Sequence, residues 1–248
     1  MKILLVNDDG IDSPGLQLLA KELGREHTVV VVAPDGNRSA VSHGLTMRMP
    51  ILVRQVQMDG CLKAYAISGN PADCTRLGIA PLMGDEMDID LVISGPNLGY
   101  NVSFDILYSG TAAGALEGAM WGKKAIALSA STKAKTEDVV EIFLALLRQL
   151  DVQRDIRHVL NINIPALPKE QIKGVKWVNQ GLFHQWSDRY EHRRSPVGQD
   201  YYWINGVEST IPPSETDSFA VQEGYISLTP ISFDLTDEQG FRDRELTL

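Results

Sequence analysis

The feature that most constrains the fold of this chain is a series of apolar runs that do not alternate with polar residues. The runs span residues 3–6, 28–33, 89–94, 124–129 and 159–164. Continuous apolar strands are typically buried on both faces, and segments with helical spacing separate the first of these runs. We therefore predict an α/β fold in which a three-layer, Rossmann-like, mostly parallel sheet is flanked by helices.

Several connecting segments carry the pattern of helices that cover such a sheet. The first is predicted to begin at Pro14 after a Ser13 cap and to end before Gly24, with an apolar stripe between. The second, over residues 111–120, is rich in Ala and Gly and can approach the sheet closely. The third, over residues 136–150, has acidic residues near its start, where they suit the helix dipole.

The texture of the sequence changes after residue 165, where aromatic residues alternate with polar ones. This pattern predicts antiparallel hairpins, with strands at residues 175–178, 201–204 and 225–228. We divide the chain into an α/β core over residues 1–165 and a smaller hairpin-rich region over residues 166–248, whose late strand returns toward the core. Exposed aromatic hairpins favour self-association, so the second region is predicted to serve oligomerisation.

Composition argues against several functional classes. Lys plus Arg total 23 against 32 Asp plus Glu, and the net charge of −9 argues against broad binding to nucleic-acid backbones. Cys61 and Cys74 lie in no CxxC or Cys/His cluster, so neither a disulfide framework nor a thiolate zinc site is expected. No apolar run is long enough for a signal-peptide core or a membrane span. We therefore expect a protein of the reducing cytoplasm without a membrane partner.

Two adjacent acids, Asp8 and Asp9, directly follow the first apolar run, in the segment Asn7-Asp8-Asp9-Gly10. Neighbouring carboxylates repel each other, and a partly desolvated crevice raises their pKa values unless a cation neutralises them. A hard divalent ion such as Mg2+ or Mn2+ offers that compensation. The same segment also suits a solvated tight turn. The pair alone is therefore equally compatible with a metal site and with a turn.

Further oxygen donors follow the next strands of the predicted core. The second strand leads through Asn37 to Ser39, and the third leads to Asn97. Ligands of open parallel sheets bind outside the carboxyl ends of the strands, near the point where strand order reverses. Together with the acid pair, Ser39 and Asn97 would offer a hydroxyl and a carboxamide to a hydrated metal ion that stays open to a phosphate.

A small-residue turn, Tyr108-Ser109-Gly110-Thr111-Ala112-Ala113-Gly114, opens one predicted helix. Backbone amides and hydroxyls at a helix start can hold an anion, helped by about half a positive charge from the helix dipole. A serine cap before an alanine-rich helix is common, so the turn alone does not indicate a site. It becomes informative because it follows the segment 97–101 closely, and a metal beside an anion site suggests hydrolysis of a phosphate ester.

Motifs along most of the chain carry a resemblance to a known family. They are Asn7-Asp8-Asp9-Gly10 with Ser13-Pro14-Gly15, Val32-Ala33-Pro34 with Arg38-Ser39, Gly69-Asn70-Pro71-Ala72-Asp73-Cys74, Ser94-Gly95-Pro96-Asn97-Leu98-Gly99 with Tyr108-Ser109-Gly110-Thr111 and Glu117-Gly118, and Glu223-Gly224-Tyr225-Ile226-Ser227-Leu228-Thr229-Pro230. With these motifs in this order, the chain resembles the SurE family, the stationary-phase survival protein nucleotidases.

The resemblance implies a metal-dependent phosphatase acting on nucleoside 5′- and 3′-monophosphates, with short polyphosphate as a further substrate of some members. It implies one divalent ion per subunit, Mg2+ or Mn2+, held by Asp8, Asp9, Ser39 and Asn97. The implied catalytic residues are Asp8, Asp9 and Asn97, and the residues implied beside the substrate phosphate are Asn101, Ser109, Gly110 and Thr111. The implied assembly is a homodimer or homotetramer.

Two positions depart from the family pattern without altering the implied ligand set. Asn70 stands where members usually carry threonine, and Pro96 stands where a branched residue often precedes the asparagine. The resemblance therefore implies the reaction class but not the fine substrate preference.

The chemical step has two routes at this point. Either acid can orient or deprotonate the attacking water, or one carboxylate can attack phosphorus to form an aspartyl phosphate. His43, which follows the Ser39 loop, is a candidate proton donor, although an isolated loop histidine more often makes a local hydrogen bond.

Other functional classes share single features with the chain. A receiver domain also has an acidic pair after its first strand, but it needs a third aspartate and a later lysine where this chain has Asn97 and Ser129. A haloacid-dehalogenase-like phosphatase needs acids two positions apart, whereas Asp8 and Asp9 are neighbours. A noncatalytic nucleotide-binding protein is compatible with the motifs, and metal-dependent release of phosphate from AMP or GMP distinguishes the enzyme from it.

Overall fold

The computed structural model describes residues 1–82, 88–184, 186–208 and 212–237. Its strands are β1 Lys2–Val6, β2 Thr28–Pro34, β3 Val53–Val56, β4 Lys63–Ile67, β5 Leu91–Leu98, β6 Lys124–Ala130, β7 Val159–Ile164, β8 Val175–Trp177, β9 Trp186–Arg194, β10 Asp200–Glu208 and β11 Ile226–Ile231. Within the described residues, nine strands form a central sheet in the order β3-β4-β2-β1-β5-β6-β7-β11-β8. The six strands from β4 to β7 in that order pair in parallel, which confirms the predicted α/β architecture.

Helices cover both faces of the central sheet. They are α1 Pro14–Leu23, α2 Pro71–Ile79, α3 Gly110–Met120, α4 Thr136–Leu147, α5 Val152–Asp155 and α6 Asp217–Gln222. Ile3 and Leu5 of β1 share one buried cluster with α1 and α4, whereas Leu4 and Val6 share another with α2 and α3. Successive residues of a strand point to opposite faces, so the predicted three layers are confirmed. Among the described helices, none is both long and apolar enough to cross a membrane.

The five apolar runs form strands near their predicted bounds because they lie in the middle of this layered core. The strands β1, β2, β6 and β7 are buried along all or nearly all of their length. The helix predicted over residues 136–150 ends earlier, at Leu147, which is also its last buried residue. Burial therefore sets the limits of these elements more closely than propensity does.

The close approach predicted for α3 is confirmed by two of its glycines. A Cβ on Gly114 would lie 2.8 Å from the Oγ of Ser94, and a Cβ on Gly118 would lie 2.8 Å from Cγ2 of Val92. Any larger side chain at these two positions would push α3 away from β5, so the two glycines allow the helix to lie close against the sheet. This proximity brings the N-terminus of α3 next to the end of β1.

Two strands of the C-terminal region differ from the sequence prediction. β8 and β11 were expected among the antiparallel hairpins of the smaller region, with the late strand returning toward the core. Both strands belong to the central sheet itself, where β11 pairs antiparallel with β7 and parallel with β8. Ile226 and Leu228 of β11 are buried in the main core, so long-range burial outweighs local turn signals. β9 and β10 form the predicted hairpin, which contains residues 201–204. Residues 238–248 lie outside the described residues, and the division at residue 165 stays a prediction.

The apolar pattern does not reveal β3 and β4. β3 is an exposed edge strand and β4 mixes buried with half-buried residues, so neither carries a continuous apolar run. α2 begins after Asn70, whose N–H donates to Asp73 Oδ2 at 2.9 Å in a capping arrangement. Asp73 also accepts from the Thr46 hydroxyl at 2.8 Å. The start of α2 thereby holds the segment that follows the Ser39 loop.

Candidate functional site

Three neighbouring parallel strands bring the predicted metal ligands to one edge of the sheet. β1 lies between β2 and β5. Asp8 and Asp9 follow β1, and Ser39 lies in the loop after β2. Asn97 is the next-to-last residue of β5. The chain passes from β1 to one side and later returns to its other side, so this edge is the topological switch point where α/β sheets bind ligands.

Asp8 is the most deeply buried of these four residues, with 5% of its surface exposed. The Thr111 hydroxyl donates to Asp8 Oδ1 at 2.7 Å, and the Thr111 backbone also hydrogen-bonds to the carboxylate. Burial raises the pKa of Asp8 to about 6 although the Thr111 hydroxyl lowers it, and the charge of Asp9 adds to the rise. The N-terminus of α3 therefore holds a buried acid at the end of β1.

Asn37 connects Asp9 to Ser39. Its Nδ2 lies 3.4 Å from Asp9 Oδ1, and its Oδ1 accepts from the Ser39 hydroxyl at 2.8 Å and from the Ser39 N–H at 3.0 Å. The Arg38 N–H donates to the Asp8 carbonyl oxygen at 2.7 Å, which fastens the loop to the acid pair. Burial raises the pKa of Asp9, which is half-buried. Sequence reasoning assigned Asn37 no contact, although an asparagine two residues before Ser39 is a signal for such a turn.

Asn97 reaches the same edge through an irregularity in β5. Between Ser94 and Asn97 the register with β6 shifts, forming a bulge of the kind that re-aims side chains beside active sites. Pro96 packs on the start of α1, since a Cβ on Gly15 would lie 2.9 Å from its Cγ. Asn97 Nδ2 donates to the Gly99 carbonyl at 2.8 Å, which leaves Oδ1 as the side-chain atom suited to a cation.

These four residues fit a hard divalent cation. Their donors are carboxylate, hydroxyl and amide oxygens, the ligand types of Mg2+ and Mn2+. Across the described residues, no lysine, arginine or histidine forms an ion pair with Asp8 or Asp9, so a bound cation would supply the missing charge. The same part of the chain holds no group of three or more His, Cys, Asp or Glu placed so that they could hold a metal ion together. The hydroxyl of Ser39 and the amide of Asn97 are therefore needed to complete a site around the two acids.

The start of α3 places three of the predicted phosphate-binding residues beside Asp8. Ser109 Oγ caps the helix by accepting from the Ala112 N–H at 3.0 Å. A Cβ on Gly110 would lie 2.9 Å from the Cβ of Asp8, so only glycine fits here without displacing the acid. Thr111 already serves Asp8 through its hydroxyl. These residues and the acid pair therefore form one contiguous group.

The fourth predicted phosphate-binding residue, Asn101, is held by a buried polar network at the ends of β6 and β7. Its N–H donates to Asn163 Oδ1 at 2.9 Å, and its Nδ2 donates to Ser129 Oγ at 2.8 Å. Its carbonyl accepts from Nδ2 of Asn161 at 2.8 Å and from Nδ2 of Asn163 at 3.1 Å. Sequence reasoning did not identify these two asparagines, which interrupt the apolar run of β7. They fix the loop that follows Asn97.

Two clefts open beside the acid pair and the start of α3. The first, here called the Asp9 cleft, has a volume of about 440 Å3, and its lining includes Asp9, Asp12, Asp35, Pro96 and Leu98. The second, the His43 cleft, has a volume of about 620 Å3, and its lining includes Ser42, His43, Ser109, Leu116, Met120 and Phe233. Both volumes lie in the range of small-molecule sites. The candidate site therefore has room for an organic group as well as a phosphate.

Comparisons with known proteins agree with one another. The family model described as "Survival protein SurE" matches residues 3–187. A Fervidobacterium nodosum protein named 5′-nucleotidase SurE is 42% identical over 250 residues, covering 99% of this chain and 96% of the relative. A Thermoanaerobacter protein with the same name is 43% identical over 241 residues, covering 96% of this chain and 94% of the relative. A crystal structure of the SurE protein from Aquifex aeolicus superposes with a TM-score of 0.82 at 37% identity, covering 97% of each chain.

Proposed function

Because the chain belongs to the SurE family, we propose that it hydrolyses nucleoside 5′-monophosphates to a nucleoside and inorganic phosphate. Relatives that match nearly the whole chain are named 5′-nucleotidase SurE, which supports this reaction class. We further propose dependence on one Mg2+ or Mn2+ ion per subunit. Nucleoside 3′-monophosphates and the ends of short polyphosphate chains are proposed as additional substrates, since each presents a terminal phosphoryl group.

The proposal rests on hydrogen bonds that join the acid pair both to the loop after β2 and to the start of α3. Asp8 contacts Thr111, and Asp9 connects through Asn37 to Ser39. Oxygen donors for a cation therefore lie next to a helix N-terminus, which favours an anion. A phosphate monoester bound there would contact both features at once, which is the requirement for phosphoryl transfer by positioning and charge stabilisation.

The residues of the acid pair and its neighbours have distinct roles in this proposal. When bound, the divalent ion supplies Lewis acidity toward a phosphoryl oxygen and favours water as the nucleophile. Asp8, Asp9, Ser39 and Asn97 would hold it. Thr111 keeps the Asp8 carboxylate oriented. Asn37 Oδ1 accepts a hydrogen bond from the Ser39 hydroxyl, which leaves the lone pairs of Ser39 Oγ for a cation. Such neighbours preorganise the site, so little reorganisation accompanies the reaction.

The substrate phosphate is proposed to lie beside Ser109, Gly110 and Thr111. The N-terminal end of α3 provides a positive dipole end there, next to the buried carboxylate of Asp8. Asn101 borders the phosphate and also positions the loop of Asn97 through its bonds to Ser129 and Asn163. Donors fixed in this way can stabilise the phosphoryl oxygens as charge redistributes.

The β9–β10 hairpin and the net charge of the chain bear on assembly and location. Tyr202, Trp203 and Ile204 of β10 are each more than half exposed, which is unusual for large apolar side chains on a solvated hairpin. We propose that this hairpin contacts other copies in a homodimer or homotetramer. We also propose a cytoplasmic location, with neither nucleic acid nor membrane as a stable partner, in line with the net charge of −9.

A panel of metals and substrates tests the proposed function. Purified protein, stripped with EDTA, is incubated with AMP, GMP, their 3′ isomers and tripolyphosphate in the presence of Mg2+, Mn2+ or no metal. We expect phosphate release from the 5′-monophosphates only when Mg2+ or Mn2+ is present, because the acid pair needs a cation. Colorimetric phosphate release checks this, and excess EDTA should stop the reaction reversibly.

A control for contaminating phosphatases is the same panel with a protein purified identically but carrying the Asp8→Asn substitution. Turnover of AMP that is unchanged by EDTA would contradict the metal-dependent mechanism. Tight binding of AMP with no phosphate release under any metal would contradict the nucleotidase proposal itself.

A further inference from the structure

A buried carboxylate outside the proposed metal site holds the loop histidine His43. Glu117 of α3 has 2% of its surface exposed, and its Oε2 lies 2.7 Å from His43 Nε2. Its Oε1 accepts from Trp121 Nε1 at 2.8 Å, and Arg76 Nε lies 3.7 Å from Oε1. Burial acts to raise the pKa of Glu117, but the hydrogen bonds from His43 and Trp121 outweigh it and lower that pKa. Glu117 is therefore an ionised acceptor that fixes the imidazole.

The loop that carries His43 is fastened directly to the start of α3. The Ser42 N–H donates to the Tyr108 carbonyl at 3.0 Å, and the Ser42 hydroxyl donates to the Leu107 carbonyl at 2.6 Å. Ser42 has a φ of 53°, in the left-handed region that a non-glycine residue rarely adopts. Such a conformation persists where surrounding contacts hold it, and both contacts here immediately precede Ser109.

The imidazole of His43 lines the same cleft as Ser109. Because Glu117 occupies Nε2, Nδ1 is the ring nitrogen left for a molecule in the His43 cleft. Most of the remaining lining is apolar, as in Ile106, Leu107, Leu116, Met120, Phe233 and Leu235. An uncharged nucleoside suits this lining better than the Asp9 cleft, where three carboxylates line the wall.

We propose that His43 donates the proton to the leaving nucleoside oxygen and that Glu117 is the positioning residue that orients it. This assignment rests on the proposed nucleotidase activity and deepens it. It replaces the reading of His43 as a residue with only a local hydrogen bond, because its bond to Glu117 leaves one ring nitrogen for the substrate. A carboxylate that bonds one ring nitrogen of a histidine fixes the orientation of the ring and leaves the other nitrogen for proton transfer.

The oxygen of water forms a bond to phosphorus while the bond from phosphorus to the ribose oxygen breaks. The electron pair of the broken bond stays on the ribose oxygen, which takes the Nδ1 proton of the His43 imidazolium. The attacking water loses a proton to solvent, and the neutral imidazole takes one back from solvent. The products are the nucleoside and inorganic phosphate.

Dependence on the leaving group distinguishes this role from a structural one. The ribose oxygen leaves poorly as an alkoxide and needs the proton, whereas p-nitrophenolate is a stable anion that leaves without it. Loss of a proton donor therefore slows AMP hydrolysis far more than p-nitrophenyl phosphate hydrolysis. The ratio of the two rates is independent of how much of a variant is correctly folded, because both substrates report on the same active molecules.

The experiment measures kcat and KM for both substrates with Mn2+ in the wild-type protein and in H43Q, E117Q and H192Q. His192 is a matched control, since it also pairs Nε2 with a carboxylate, Asp200 Oδ1 at 3.0 Å, but lies on the exposed β9–β10 hairpin. We expect H43Q to lower kcat for AMP by about 100-fold or more, the range of general acid catalysis. The loss with p-nitrophenyl phosphate should be much smaller, E117Q should follow the same selective pattern, and H192Q should match the wild type.

The outcomes separate this proposal from the one on which it rests. If the wild type releases no phosphate from AMP under any metal, the proposed nucleotidase function fails. If the wild type hydrolyses both substrates and H43Q slows them equally, or slows neither, the proton-donor role is overturned while the nucleotidase function stands. A selective loss in H43Q without one in E117Q would overturn only the positioning role of Glu117.

Discussion

Replacing Asp8 with asparagine is expected to lower AMP hydrolysis by about 1,000-fold or more, since losing a mere neighbour of a metal ligand typically costs about 10–100-fold. The amide keeps the size of the side chain and removes the charge that would hold a cation. Asp8 is buried without a cationic partner among the described residues, so a neutral side chain should not destabilise the metal-free fold. Initial rates with Mn2+ and AMP measure the loss, and a thermal melt measures the stability.

Metal binding gives a second readout of the same variant. A ligand that binds only the native state at 100 times its Kd adds about 2.7 kcal/mol of stability. Mn2+ should therefore raise the melting temperature of the wild-type protein but not that of Asp8→Asn. Asp59→Asn, an exposed aspartate in the connection between β3 and β4, is the matched control and should keep both activity and the metal response. Near-normal turnover in Asp8→Asn would remove this acid from the mechanism.

Replacing Gly110 with alanine is expected to lower activity by about 100-fold, the effect of displacing a reacting group by about 1 Å. The new Cβ would lie 2.9 Å from the Cβ of Asp8 and 3.1 Å from Cγ of Pro71, and neither atom belongs to the end of a flexible side chain. Asp8 must therefore shift against Thr111. Overpacking of this kind also costs about 1–3 kcal/mol of stability, which a denaturation midpoint would register.

The matched control for this variant is Gly36→Ala, which lies in the loop after β2 near the same site. A Cβ there would meet nothing closer than the Arg38 guanidinium at 3.9 Å, so activity should change little. Equal activity in Gly110→Ala and the wild type would show that the start of α3 does not set the position of Asp8. Equal losses in both glycine variants would point to loop flexibility as the cause.

The parallel core was predictable because its signal is local and strong. Continuous apolar runs such as that of β1 can be read directly from the sequence, and a parallel sheet is the architecture that buries them on both faces. β3 was not predictable in this way, since its exposed residues carry no hydrophobic pattern. The placement of β8 and β11 depends on contacts with distant strands, so local hairpin signals led to the wrong partner.

The candidate site was predictable in its residues more than in its connections. The acid pair, Ser39 and Asn97 all follow strands, and the rule that ligands bind at the carboxyl ends of parallel strands brings them to one edge. The bond from Thr111 to Asp8 joins residues 103 positions apart, and no local pattern reports it. The same holds for the bond from His43 to Glu117, whose partners lie 74 positions apart.

The polar network around Asn101 shows a further limit of pattern reading. Asn161 and Asn163 occupy a strand that otherwise reads as core, and sequence alone treats them as tolerated exceptions. The structure shows both donating to the Asn101 carbonyl. Buried polar groups in a core generally have partners, so their presence in an apolar run is a usable signal for a nearby loop that needs support.

The shared metal site is tested most directly by growing crystals with Mn2+ and collecting diffraction data at a wavelength that reveals the anomalous signal of manganese. We expect one strong peak per subunit. Oxygen atoms of Asp8, Asp9, Ser39 and Asn97 should lie at about 2.0–2.6 Å from it or be bridged to it by one water. A peak at another place on the protein, or oxygens too far apart to share one ion, would show that these four residues do not form the metal site.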